Sequence, residues 1–414
     1  MARMPQTLAA LAPGAGISGE ADMGLSDGGT PAFQSAEDPP RATPLPRDSL
    51  RRYTLRIMSP LLLLRVHADL RLGLGHVARA LALQEAWRAL GGQACLAVSG
   101  DERARRVGGG RHPFLDQPLP CEAVDLGEDP HAPLPTDLRD RAAVALVDQW
   151  DTSTAFLQAL RPLKVAIMED DTDAHEAADL LFQPYLEGVA WPDHPVKVVA
   201  GRKVRPYETT SGACRVLRGS AFIVVDRTAL ELRPKRMPQQ PLAVHKLLVT
   251  FGGSDGPNLA QRAFDLLARL VAEDRWRGAC TLLSPNGIQG EPFPGCTVAR
   301  SLPNLTRRLP DFDALWCAAG ITLAEALCLG VPAAVWGQNE RQHAILADLA
   351  LANGCFDLGV GTEAAPAATA EALSGWLGPE GQDSRQEQVR DGMALVDGLG
   401  ASRVAQELWK LAQG

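Results

Sequence analysis

The 414-residue sequence has no apolar run approaching the ~18 residues of a membrane-crossing helix, and its best short run, Leu61 to Leu64, is stopped by Arg65. No membrane span and no signal peptide are therefore expected. The eight cysteines, Cys95, Cys121, Cys214, Cys280, Cys296, Cys317, Cys328 and Cys355, form no CxxC pair and no metal-ligand spacing. They read as buried thiols of a reducing cytosol, which makes a cytoplasmic location the expectation. A long basic run is also missing: 41 Lys and Arg against 49 Asp and Glu leave a formal charge of −8. Nucleic-acid affinity comes mainly from neutralised phosphates, so nucleic acid is not expected as a partner and any phosphorylated ligand must be held locally. What is present is a globular composition, 46% hydrophobic and 22% charged, over a length that suits two to three domains.

Residues 1 to 57 are rich in Pro, Gly, Ala and Ser and lack helical or strand periodicity, so a disordered extension is expected there. Folded-looking sequence starts abruptly at Met58, which marks Met58 as the expected true start and the upstream stretch as a gene-model extension. From there aliphatic runs alternate with Ala/Leu-rich helical stretches, the pattern of βαβ units feeding a parallel sheet. Strands are predicted at Leu61 to Val66, Ala94 to Val98, Ala143 to Val147 and Lys164 to Met168, with a helix from about His76 to Leu90 that ends at Gly91-Gly92. Pro234, Pro238 and Pro241 beside Arg233, Lys235 and Arg236 read as a linker. The series restarts with strands at Leu247 to Phe251, Cys280 to Leu283, Ala314 to Cys317 and Ala333 to Trp336, and a helix from Asn258 to Ala272. The expected fold class is α/β, with two Rossmann-like domains whose parallel sheets face each other across a cleft: residues 58–232, a linker at 233–243, and residues 244–414. Ligands of such sheets bind at the C-terminal ends of the strands, in the cleft between domains.

Three motifs fall at those strand ends. Gly73-Leu74-Gly75-His76 with Arg79 lies between a strand and a helix, where glycines permit close backbone approach and the helix start offers unpaired N–H groups. The positive end of that helix disfavours imidazolium, leaving His76 able to take a proton from water or a hydroxyl. Gly252-Gly253-Ser254-Asp255 is a second glycine turn suited to cradling a diphosphate. Gly320 opens a helix on which Thr322 and Glu325, three apart, share a face, so that Glu325 could grip two ribose hydroxyls. The polar cluster Gln338-Asn339-Glu340-Arg341-Gln342-His343 and the Asp148-Gln149-Trp150-Asp151 segment reach the same rim. Asp148 equally suits a helix cap. Glu169-Asp170-Asp171 reads as solvent-facing rather than as a metal site, and His112, His131, His194 and His245 receive no role.

GLGHVARALAL, VDQW, EDDTDAHEAADLLF, LLVTFGGSDGPNL and AAGITLAEALCLGVP, in this order, resemble the UDP-sugar hydrolases of pseudaminic acid biosynthesis and their spore-coat and flagellin-modification relatives, over about residues 61 to 355. The resemblance implies the glycosyltransferase-B fold, kinship with the lipid II-forming N-acetylglucosaminyltransferase, and removal of UDP from UDP-2,4-diacetamido-2,4,6-trideoxy-β-L-altropyranose by water. It makes His76 the catalytic base and the first domain the sugar side. It places Gly252, Gly253 and Ser254 on the diphosphate, Thr322 and Glu325 on the nucleotide, and Glu340 and Gln342 at the sugar end. A UDP-sugar and water are the implied partners, with no cofactor and no metal.

Three positions depart from the family pattern: His67 stands where an acidic residue is usual, Trp150 replaces a tyrosine, and Arg341 replaces an asparagine. All lie at the sugar end. The expected activity is hydrolysis of a UDP-linked deoxy diacetamido sugar on the way to a nonulosonic acid. An inverting UDP-sugar glycosyltransferase is the alternative, and a non-catalytic nucleotide-sugar scaffold is the second.

Overall fold

The computed structural model describes residues 59–70, 72–115, 117–150, 152–170, 172–184 and 207–414. The expectations for residues 1 to 57, Met58, Asp151, Asp171 and His194 lie outside the described residues.

The first sheet is built from β1 (Leu61–Ala68), β2 (Gln93–Gly100), β3 (Glu122–Asp125), β4 (Ala142–Asp148), β5 (Lys164–Met168), β6 (Leu180–Gln183), β7 (Tyr207–Ser211) and β8 (Cys214–Arg218). Its order is β3-β2-β1-β4-β5-β6-β8-β7, parallel except for the antiparallel β7 edge. Central β1 is buried along its whole length because helices and loops cover both faces, as a parallel sheet requires. Arg65 lies within this strand, as expected. Its Nη1 donates to Ser99 Oγ at 2.9 Å and its Nη2 to the Pro130 carbonyl at 2.7 Å, so the charge is accommodated inside the fold.

The second sheet contains β9 (Lys246–Thr250), β10 (Ala279–Leu283), β11 (Cys296–Ala299), β12 (Ala314–Ala318), β13 (Ala333–Gly337) and β14 (Phe356–Val360), all parallel in the order β11-β10-β9-β12-β13-β14. In the first half run helices α1 (Gly75–Ala89), α2 (Glu102–Gly108), α3 (Thr136–Arg141) and α4 (Thr154–Ala159). The remainder are α5 (Arg227–Leu232), α6 (Leu259–Ala272), α7 (Leu305–Arg308), α8 (Ile321–Leu329), α9 (Glu340–Leu351), α10 (Pro366–Leu377), α11 (Gln382–Leu395) and α12 (Gly400–Gln413). Among the described residues no helix is long and apolar enough to cross a membrane.

Two boundaries differ from the sequence expectation. Ile223, Val225 and Ala229 pack into the second domain's core with Leu248 and Leu315, so the chain crosses over before α5 and not at residue 233. At the other end Ala401, Val404 and Leu408 of α12 join the first domain's core, and Trp409 meets Trp87 at 4.8 Å between ring centroids. An amphipathic helix with one apolar face goes where a matching face is open, which sequence position does not reveal. The expected linker is docked rather than free. Arg385 Nη2 donates to the Pro241 and Leu242 carbonyls at 2.9 and 3.0 Å, because prolines lose their donor but keep their acceptor.

Candidate active site

α1 starts where β1 ends, after a turn in which Gly73 holds φ +73 and donates its N–H to the Asp69 carbonyl. This places His76 one residue into the helix, facing the end of the adjacent strand β4. His76 Nδ1 lies 2.6 Å from Asp148 Oδ1. A carboxylate only accepts, so Nδ1 donates to it, with Arg79 Nη2 3.2 Å from the same nitrogen; a neutral ring in that tautomer has its lone pair on Nε2. Arg79, one turn along α1, donates from Nε to Asp148 Oδ2 and from Nη2 to Oδ1, both at 2.7 Å. Burial alone would push the Asp148 carboxyl up, but Arg79 and then His76 outweigh it and hold it at about 2. Asp148 is therefore neither a helix cap nor a group on the cavity surface. It is the buried partner that orients His76.

A cavity in the cleft is walled by Gly75, His76 and Arg79 of α1, Trp150 and Glu169 after β4 and β5, Gly320 and Ile321 at the start of α8, and Arg341 and Gln342 of α9. Deeper in the second domain its lining turns apolar, with Leu323, Leu327 and Leu349. Neither α1 nor α8 has a side-chain cap at its N-terminus. Both helix starts thus present unsatisfied N–H groups and a partial positive charge to one space. A Cβ on Gly320 would meet nothing within 4 Å, so the backbone there is open to a ligand.

The second glycine turn divides differently from its sequence reading. Gly252 holds φ +93, and a Cβ on Gly252 or Gly253 would meet open space. Ser254 faces the first domain closely enough that a Cβ on Gly73 would sit 3.4 Å from its Oγ. From the same side Arg103 Nη1 reaches the Gly253 carbonyl at 3.1 Å. Asp255, expected beside a diphosphate, is fully buried and caps α6, accepting from the Leu259 and Ala260 amides at 2.8 and 2.9 Å. Burial pushes its carboxyl up, and those amides oppose the rise.

Four further expectations are corrected. Glu325 does not line the cavity. It is buried against the Thr306 hydroxyl and the Asp226 amide, and burial, with Asp226 adding to it, pushes its carboxyl up to about 8. Thr322 is half-buried outside the cavity lining, and Glu340 is exposed as the first residue of α9. His67 is buried in β1 with Nδ1 2.9 Å from Ser99 Oγ; burial lowers its imidazole and Asp69, 3.6 Å from Nε2, opposes this.

Glu169, read from sequence as solvent-facing, is the cavity residue that sequence reasoning missed. Its carboxylate pairs with Arg79 Nη1, and its carbonyl accepts from Arg341 Nη2 at 3.4 Å. The available signal was its place directly after β5, at a strand C-terminus. Asp170 beside it is structural, accepting from the Thr172 hydroxyl at 2.9 Å and the His175 amide at 3.1 Å. Among the described residues no group of three or more His, Cys, Asp or Glu is arranged to hold a metal ion.

No family model and no curated protein matches the sequence. Solved structures do match. UGT2 of Phytolacca americana, complexed with UDP-2fluoro-glucose and pterostilbene, is 10% identical, with 86% of this chain and 100% of that one covered at a TM-score of 0.55. A UDP-glucosyltransferase from Polygonum tinctorium capable of glucosylating indoxyl is 12% identical, covering 86% and 99% at 0.53. A putative UDP-N-acetylglucosamine 2-epimerase from Listeria monocytogenes is 12% identical, covering 84% and 94% at 0.51. The expectation of a hydrolase is overturned by these neighbours: those named for a reaction are a glucosyltransferase and an epimerase, and hydrolysis finds no support among them. At such identities the likeness is one of fold, and the chain has the glycosyltransferase-B architecture of two Rossmann-like domains.

Proposed function

We propose that this protein is an inverting glycosyltransferase that uses a nucleoside-diphosphate sugar, with a uridine nucleotide as the favoured donor. The observation that carries the reading is His76, held from behind by the buried Asp148, in the wall of the cavity that the uncapped start of α8 also faces. The donor diphosphate would lie against the α8 N-terminus at Gly320 and Ile321, with the Gly252, Gly253 and Ser254 turn closing over it. His76 Nε2 takes the proton from an acceptor hydroxyl, and Asp148 stabilises the imidazolium that forms. The acceptor oxygen attacks the anomeric carbon as the bond from that carbon to the phosphate oxygen breaks. The electron pair leaves with the nucleoside diphosphate, whose charge meets the helix N-termini. One displacement inverts the anomeric centre. Gln342 and Trp150 would flank the sugar, and Gly75, where a Cβ would meet nothing within 4 Å, leaves the backbone open beside it.

The test couples binding to turnover. Calorimetry should detect UDP binding, and UDP release from UDP-glucose or UDP-N-acetylglucosamine should require an added hydroxyl acceptor from a panel of glycosides and phenols. Failure of UDP to bind at millimolar concentration would sink the reading.

A further inference from the structure

The cavity wall holds a carboxylate that the proposed reaction leaves idle. Glu169 holds φ +57, a left-handed conformation that non-glycine residues adopt rarely and that collects at functional sites. Its carboxylate pairs with Arg79, which also grips both oxygens of Asp148, which in turn accepts from His76 Nδ1. Arg341 of the second domain anchors the Glu169 carbonyl. Arg79 is thus shared between two carboxylates. Without the Glu169 charge, the Arg79 guanidinium, 3.2 Å from His76 Nδ1, would draw more on Asp148 and disfavour a proton on the imidazole.

We infer that Glu169 is a positioning residue for His76, acting through Arg79 and Asp148 to keep the imidazole a competent base. The inference deepens the reading of His76 given above and rests on it. Among the described residues, the charged and titratable groups around His76 are Asp148 from β4, Arg79 from α1, Glu169 following β5, and His67 from β1, which Asp69 and Arg65 back. Arg341 approaches from α9 through Glu169 and Trp150. Replacing Glu169 with glutamine removes one negative charge from the Arg79 guanidinium, which still grips Asp148.

The experiment is an NMR titration of the His76 ring in the full chain, with the signal assigned by its loss in His76→Asn. The midpoint is expected to fall by about half a pH unit in Glu169→Gln and by a smaller step in Glu169→Asp, whose carboxylate is drawn back by one methylene. An unchanged midpoint in variants that still melt cooperatively overturns the inference. If Glu169→Gln does not fold, the Glu169→Asp titration decides alone. UDP calorimetry on the same samples keeps the two readings apart, because the ring titrates whether or not UDP binds.

Discussion

The Arg341 guanidinium of the second domain lies 4.5 Å above the Trp150 ring of the first. The fold puts these two residues in contact beside His76. Trp150 and His76 meet edge to face, with centroids 6.3 Å apart and planes at 84°. A tyrosine and an asparagine at these positions would offer hydrogen bonds; the tryptophan and arginine offer a cation over a π face instead. A double-mutant cycle with Trp150→Leu and Arg341→Met, followed by urea unfolding, is expected to give a coupling of about 1 kcal/mol. Additive single-variant effects would show that the stacking contributes nothing.

The dyad should separate turnover from nucleotide binding. His76→Asn is expected to lower turnover by about 10²- to 10⁴-fold with UDP affinity nearly unchanged, since the imidazole acts on the acceptor proton. Asp148→Asn should lose a similar factor because an amide cannot fix the same tautomer. Parallel calorimetry and steady-state assays read both.

Asp148 also makes stability depend on acid. Its carboxyl is held near 2 in the fold against an ordinary 3.8, so the contribution, on the order of 2 kcal/mol, is present above about pH 4. It is lost as pH falls through about 2. Urea unfolding of the wild type between pH 5 and pH 2 should show this decline, and Asp148→Asn should flatten it.

Glu325 works in the opposite sense. Its carboxyl sits at about 8 in the fold and ordinarily at 4.5, so the native state keeps a proton that the unfolded chain gives up. Stability tied to this group is complete below pH 4.5 and declines as pH rises through about 8. Glu325→Gln should remove that slope and be the more stable protein at pH 8, by on the order of several kcal/mol at most. Unfolding curves at pH 5 and pH 8 decide the sign.

Leu408 tests the reassignment of α12. It is fully buried in the first domain's core, and Leu408→Ala is expected to cost about 2 to 5 kcal/mol. Hydrogen exchange should show the loss in β1 and α1 rather than in the second sheet. Weakened protection confined to β9 and β12 would restore the sequence-based boundary.

Much of the architecture was legible because parallel strands buried on both faces leave predominantly apolar runs. Leu61 to Val66, Lys164 to Met168 and Ala314 to Cys317 each announce themselves this way and each is a strand. Less visible were β3, with the sequence Glu-Ala-Val-Asp, and the half-buried β14, whose polar or mixed residues carry no such signal. Arg65 interrupts the apolar run but not the strand, which was expected to continue to Val66. A charge can continue a buried strand when Ser99 and Pro130 supply acceptors from distant parts of the chain.

The sequence by itself determined the fold class, the place of His76 at a helix start, and the glycine turns at strand ends, because each depends on local periodicity or backbone freedom. Tertiary structure alone decided the partners. It turned Asp148 from a candidate cap into the residue that holds His76, 72 positions away in the chain, and Asp255 from a phosphate ligand into a cap. It also buried Glu325 and brought Glu169 and Arg341 to one wall. Charge pairing depends on distances across the sheet and across the cleft, and those distances exist only once the chain has folded.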